Sequence, residues 1–223
     1  PEPFLKQNEK TLRRWQDERL DRLVKEDIRD IENVRDLSAL QVLAEVLPEK
    51  VGSIFSLNAI REDLQVAHKT LSLWMDVLER FYYHFRIYPF ASTRIKSLRR
   101  QPKLYLWDWS EIERPAARLE NIVASHLLKL THYLHDTEGW KTELWYLRDN
   151  NGREVDFLVT IKQKPWFAVE VKQGDEDPSA ALSYFTDRLH IPFSYQIVGQ
   201  SGVDSVVHGI RVMSVETFLS ALV

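Results

Sequence analysis

The sequence predicts a mixed α+β protein in which an N-terminal helical domain with a helix-turn-helix outline precedes an α/β domain with a central mixed sheet. Three observations predict it. Apolar residues recur at helical spacing up to about residue 86, strand-like runs begin at Lys103, and an Asn-Gly pair separates two apolar runs at Asn151-Gly152. The chain has 223 residues, 30 Lys+Arg, 33 Asp+Glu and 44% hydrophobic side chains, which suits a folded protein of two small domains.

Residues 7 to about 33 carry dense charge of both signs around a partial stripe of Leu12, Trp15, Leu20, Leu23, Val24 and Ile28, and so read as a helical connector over residues 1–33. Leu40, Leu43, Ala44, Val46 and Leu47 mark the next helix, Leu57, Ala59 and Ile60 a short one, and Leu71, Trp74, Val77, Leu78 and Phe81 a longer one starting near His68. The last two form the helix-turn-helix outline. The aromatic run Phe81 to Phe90 would supply the strands of a winged helix, giving a domain over residues 34–91. A boundary is expected near residue 92, with Lys103 to Asp108 as the strand that enters the second domain, residues 92–223. There, Ala117 to Leu134 reads as a helix, and strands follow at Leu144 to Arg148, Glu154 to Ile161 and Trp166 to Lys172. Asp177-Pro178 would cap a helix running to Leu189. Strands near Ser194 to Val198 and Ile210 to Met213, then a helix capped by Ser214, complete the domain.

Several function classes fall away. The absence of cysteine excludes disulfides, a Cys-type zinc site and a catalytic thiol, and suits a reducing cytoplasm. No apolar run approaches the roughly 18 residues that span a bilayer, so no membrane role is expected. A net charge of −3 argues against general polyanion binding, yet Arg94, Lys96, Arg99, Arg100 and Lys103 form a local run without an acid. That run reads equally as a phosphate contact or as a solvated linker. His68 and Lys69 would begin the helix that reads DNA, if DNA is read there. None of the seven glycines forms GxxxxGK[ST] or GxGxxG, so no nucleotide-phosphate loop is present.

The strand Glu154-Val155-Asp156-Phe157-Leu158-Val159 alternates, with Val155, Phe157 and Val159 on one face and the carboxylates on the other. In the following strand Ala168, Glu170 and Lys172 share a side. Asp156, Glu170 and Lys172 could therefore meet, as metal-dependent phosphodiester cleavage requires: carboxylate oxygens for Mg²⁺ and an ammonium for water and phosphate charge. The bland alternative is a solvated hairpin face with an incidental Glu-Lys pair. Glu120, expected in the first turn of its helix, either joins these acids or simply complements the helix dipole. His132 and His135 share a helix face, but only Asp136 stands beside them, which makes a weak metal site. His126 reads as a satisfied, partly buried histidine.

Arg99 to Asp108, Leu119 to Lys129, Tyr146 to Phe157 and Val169-Glu170-Val171-Lys172, taken in that order, resemble the C-terminal half of a family of predicted prokaryotic AAA+-type ATPases. The resemblance extends upstream through Glu26 to Asp30 and so covers nearly the whole chain. It implies a winged helix followed by a restriction-endonuclease-like domain of the PD-(D/E)xK type. Asp156 then matches the motif's Asp, Glu170 and Lys172 its ExK, and Glu120 the preceding helix carboxylate, with Asp156 and Glu170 as the Mg²⁺ ligands. His126 stands where relatives often have Glu, and Trp109-Ser110 where many have Thr-Gly. The resemblance also implies an upstream ATPase module in the same polypeptide, which would supply ATP binding and any oligomer, and makes Pro1 to Phe4 look like its end. DNA is the implied partner, although in such ATPases the winged helix serves equally as an intramolecular lid. Two functions are therefore expected: a Mg²⁺-dependent nuclease attached to an ATPase, or a non-catalytic module that binds nucleic acid or protein and regulates that ATPase.

Overall fold

Asn8 and Asp36 start the first two long helices by the same device, a side-chain oxygen accepting a backbone N–H three residues on: Thr11 N at 3.0 Å and Ala39 N at 2.9 Å. The computed structural model describes residues 5, 8–29, 34, 36–91, 100–174 and 177–222. Helix α1 (Glu9–Arg22) buries no side chain. Its surface is held by i,i+4 ion pairs such as Glu9–Arg13 and Glu18–Arg22, worth about 0.3–0.5 kcal/mol each. A wider π-helical turn, Leu23–Ile28, then buries Val24 and Ile28.

Helices α2 (Leu37–Val46), α3 (Leu57–Leu64) and α4 (His68–Arg80) follow. Gln65 lies in the left-handed region (φ 53°) and ends α3 abruptly, so the turn into α4 is tight. Leu71, Trp74, Met75, Val77 and Leu78 are the buried residues of α4, as its 3.6-residue spacing requires. His68 and Lys69 at its start are exposed. Strand β1 (His84–Ile87) does not pair within the aromatic run. Its partner is β2 (Lys103–Leu106), the segment expected to open the second domain. The difference has a physical cause: Leu104, Tyr105 and Leu106 are all buried, and Phe85 stacks on Tyr105 with ring centroids 5.6 Å apart.

The chain divides into two compact units, Pro1–Arg86 with Leu104–Glu113, and Ile87–Lys103 with Arg114–Val223. Within the first, Arg19 of α1 pairs with Glu111, which also accepts a hydrogen bond from the Tyr83 hydroxyl at 2.8 Å.

The second unit is a six-stranded mixed sheet in the order β3-β4-β5-β6-β8-β7 with helices packed on it, so the chain as a whole is mixed α+β. Its strands are β3 (Thr142–Arg148), β4 (Glu154–Ile161), β5 (Lys164–Lys172), β6 (Phe193–Val198), β7 (Asp204–Val207) and β8 (Ile210–Ser214). Strands β3 to β5 form an antiparallel meander, whereas β5, β6 and β8 run parallel. Helix α5 (Pro115–Glu138) packs on β3, β4 and β5, α6 (Ala180–Leu189) crosses from β5 to β6, and α7 (Val215–Ser220) closes the chain. Gly152 takes φ +81° in the turn between β3 and β4, a conformation that suits the Asn-Gly signal. Edge strand β7 has no apolar alternation of the kind that marks a half-buried strand: Asp204, Ser205 and Val206 are exposed.

Ser179, not Asp177, caps α6, since its hydroxyl accepts from Leu182 N. Ser179→Ala is therefore expected to cost about 1 kcal/mol in urea denaturation, and Asp177→Ala much less. Equal costs would return the cap to Asp177.

Candidate functional site

Strand β4 does not keep a strict period of two. Trp145 pairs with Leu158 and Leu147 with Val155, so Asp156 and Phe157 together oppose the single residue Tyr146. This is a β-bulge, and it changes the side that later residues face. Val155 consequently packs with Leu158, Trp145 and Leu147 in the cluster that receives Leu182 and Phe185 of α6, while Phe157 and Val159 are buried outside that cluster. The expected shared face of Val155, Phe157 and Val159 is thus split.

A second irregularity joins the acids through hydrogen bonds. The β4–β5 pairing stops at Phe157–Val169, and polar side chains take over the backbone groups beyond it. Val171 N donates to Asp156 Oδ2 at 3.0 Å, and Asp156 N donates to Glu170 Oε2 at 3.3 Å. The register that pairs Phe157 with Val169 places Asp156 opposite Glu170 at the next position, and these side-chain bonds stand in for the ladder there. Lys172 Nζ sits 2.9 Å from Glu170 Oε1, and its side chain is 36% exposed where that of Glu170 is 8%. Burial first, and the nearby Asp156 carboxylate second, push the Glu170 carboxyl up to about 7 despite Lys172.

Glu120 lies in the second turn of α5, because that helix begins at Pro115. It is therefore beyond the first turn, where the dipole effect is concentrated. What it meets is Lys103, with Nζ 3.4 Å from Glu120 Oε1, 2.8 Å from Glu154 Oε1 and 3.0 Å from Asp156 Oδ1. The Lys103 side chain is 2% exposed. The surface role read for Lys103 is corrected accordingly: it is a buried ion-pair centre. Burial alone would lower its pKa, but Asp156, Glu120 and Glu154 together hold it well above the usual lysine value. Glu154 also pairs with Arg148 at 2.7 Å. Burial would raise the Glu154 pKa, yet the Lys103 and Arg148 cations bring it below the ordinary range.

Glu154 and the acid-binding role of Lys103 are the features that sequence reasoning missed. The available signal was weak: Glu154 stands two residues before Asp156, and Arg148 faces it directly across the β3–β4 pair. Of the other predicted residues, Arg100 is exposed, whereas Arg94, Lys96 and Arg99 lie outside the described residues. His126 is partly buried, with Nδ1 donating to the Ile122 carbonyl at 2.8 Å. His135 pairs with exposed Asp136. A separate cleft of about 540 Å³, lined by Trp140, Lys162, Pro165 and Trp166 among others, lies at the far end of the β4–β5 hairpin from the acids.

Residues 117–218, which hold every member of the acid cluster except Lys103, match the family model of a domain of unknown function (DUF4143). Two domains of unknown function cover the chain. The other, a domain of unknown function (DUF8612), matches residues 1–110 and so includes α1 to α4, the β1–β2 pair and Lys103. No curated protein and no solved structure matches the chain. Among the described residues, no helix is long and apolar enough to cross a membrane.

The oxygens of Asp156 and Glu170 have the chemistry of Mg²⁺ ligands. Their arrangement does not fit one as it stands. Both Asp156 oxygens already accept from Lys103 Nζ and Val171 N, and both Glu170 oxygens from Lys172 Nζ and Asp156 N. Among the described residues, no group of three or more His, Asp or Glu side chains is arranged to hold a metal ion. The acids that do converge surround an ammonium.

Proposed function

We propose that this chain is the C-terminal part of an AAA+-type ATPase, and that its sheet domain is a nuclease-like module of the PD-(D/E)xK type directed at phosphodiesters. DUF4143 is commonly found in the C-terminal regions of AAA-type ATPases, which supports the first half of the proposal. The observation that carries the second half is the meeting of Asp156, Glu170 and Lys172 where β4 and β5 part. Lys172 is the more exposed cation of the site and is placed to meet a phosphate oxygen. Glu170, with a pKa of about 7, exchanges a proton near neutral pH, as a general acid or base must. Asp156 orients Glu170 through its backbone N–H, and Glu120 and Glu154 hold the neighbouring Lys103. No hydrolytic step through Mg²⁺ is assigned, because Lys103 stands against Asp156.

DNA is the proposed partner of the exposed His68, Lys69 and Arg100, with α3 and α4 as the helix-turn-helix of a winged helix. An upstream module of the same polypeptide would bind ATP and form any oligomer, and the cytoplasm is the proposed location, which the cysteine-free sequence suits. One observation favours a second reading, in which the domain binds nucleic acid or protein without cutting it: Lys103 and Lys172 already neutralise the acids that a metal would need.

Single-stranded, duplex and branched substrates with Mg²⁺ or Mn²⁺ separate the two. Under the nuclease reading the protein cleaves, and Asp156→Ala and Lys172→Ala each reduce the rate at least about a hundredfold, the loss typical of removing a preorganised charged group. Absence of cleavage by this chain and by the full-length ATPase with ATP would select the binding module.

A further inference from the structure

The three N–H donors of Lys103 meet three different carboxylates, Glu120, Glu154 and Asp156, at 2.8–3.4 Å, in a site that leaves the side chain 2% exposed. A lysine that only screened surface acids would keep its ammonium in water, because that group is strongly hydrated. Here the ammonium is withdrawn among oxygens contributed by α5 and β4, and it is the cation on which all three acids converge. A divalent ion bound to Asp156 Oδ1 at the usual distance of roughly 2.0–2.6 Å would lie close to that ammonium, and the two would repel.

We infer that Lys103 is a built-in cation that excludes divalent metal from the Glu120–Glu154–Asp156 cluster, so that the cluster holds the ammonium or a metal ion but not both. The inference rests on the reading of Asp156 as part of a phosphodiester-directed site, and it adds a control: the site accepts a metal only when Lys103 leaves. Lys103 is thereby a regulatory residue, not a catalytic one. Arg148, the other cation on Glu154, stays with the cluster in either state, because it binds the outer oxygen of that carboxylate.

Calorimetric titration of Mn²⁺ at pH 7.5 tests this on the 223-residue protein and on Lys103→Met, which keeps most of the side-chain volume and removes the charge. The expected result is one Mn²⁺ site in Lys103→Met, at least tenfold tighter than in the parent, lost when Asp156→Asn is added, and absent from Lys103→Arg. Since the variant's three acids lose the cation they share, Mn²⁺ is also expected to raise its melting temperature and to leave that of the parent nearly unchanged. If Lys103→Met does not fold even with Mn²⁺, the double variant Lys103→Met/Glu154→Gln, with one acid fewer, takes its place under the same criteria. Equal Mn²⁺ affinity in parent and variant, or no binding in either, overturns the inference. Failure of the nuclease reading is separately visible: a metal site unmasked without cleavage refutes the nuclease and leaves Lys103 as the excluding cation.

Discussion

Lys103→Met is expected to lower folding stability by about 3–5 kcal/mol, because it leaves a buried carboxylate cluster without its central cation. The effect is large because the loss is not confined to one pair. Glu120, Glu154 and Asp156 are at most 25% exposed, and Arg148 serves only the outer oxygen of Glu154. Each acid also keeps its like-charged neighbours once the ammonium has gone. Glu120→Gln should cost less, since Lys103 retains its two shorter contacts, at 2.8 and 3.0 Å. Urea denaturation gives the magnitudes, and hydrogen exchange at β4 and β5 assigns the loss to the sheet. A Lys103→Met cost below about 1 kcal/mol would mean that the acids do not depend on the ammonium, since that is the range of exposed pairs. The stabilisation should also persist into strongly alkaline solution. The folded pKa of Lys103 is raised, so its contribution is complete below the ordinary lysine value and is lost only as pH climbs through the folded one.

Stability is expected to fall as pH rises from about 4.5 to about 7, because burial and the adjoining Asp156 carboxylate raise the pKa of the Glu170 carboxyl in the folded chain. Its folded pKa of about 7 exceeds the unfolded value of 4.5, so between those limits the folded chain holds a proton that the unfolded chain has released. Folding is then favoured most at the acid end of the window, and the advantage is gone above pH 7. The direction is opposite to that of Glu154, whose lowered pKa contributes stability above the unfolded carboxylate value and loses it as pH falls. Subtracting the denaturation free energies of Glu170→Gln from those of the parent at pH 5, 6, 7 and 8 isolates the Glu170 slope, because other groups cancel where they are uncoupled. Parallel curves would show that Glu170 is an ordinary carboxylate. They would also remove its fitness for proton transfer at neutral pH.

Most of the elements were legible in the sequence. Helix α4 follows from the spacing of Leu71, Trp74, Val77 and Leu78, and the β3–β4 hairpin from Asn151-Gly152 between apolar runs. The pairing of β1 was not legible, because its partner β2 lies beyond residues 92–99 and no local signal distinguishes it from the aromatic stretch nearby. Strand β7 was missed for a related reason, since an exposed edge strand pairs through its backbone and leaves little apolar pattern.

In the candidate site, the sequence by itself determined the residue types: Asp156, Glu170 and Lys172 on consecutive strands, and Glu120 on the helix before them. These follow from local periodicity and turn chemistry, which act over a few residues. The tertiary structure decided how they meet. The β4–β5 register places Asp156 opposite Glu170, and the parting of the strands there lets each carboxylate accept from the backbone of the other strand. It also decided that Lys103, 17 residues from Glu120 and 53 from Asp156, stands among the acids instead of in a solvated basic run. The physical reason is that ion pairing among buried groups depends on distance in space. An acid or a base looks the same in a sequence whether water or an opposite charge surrounds it.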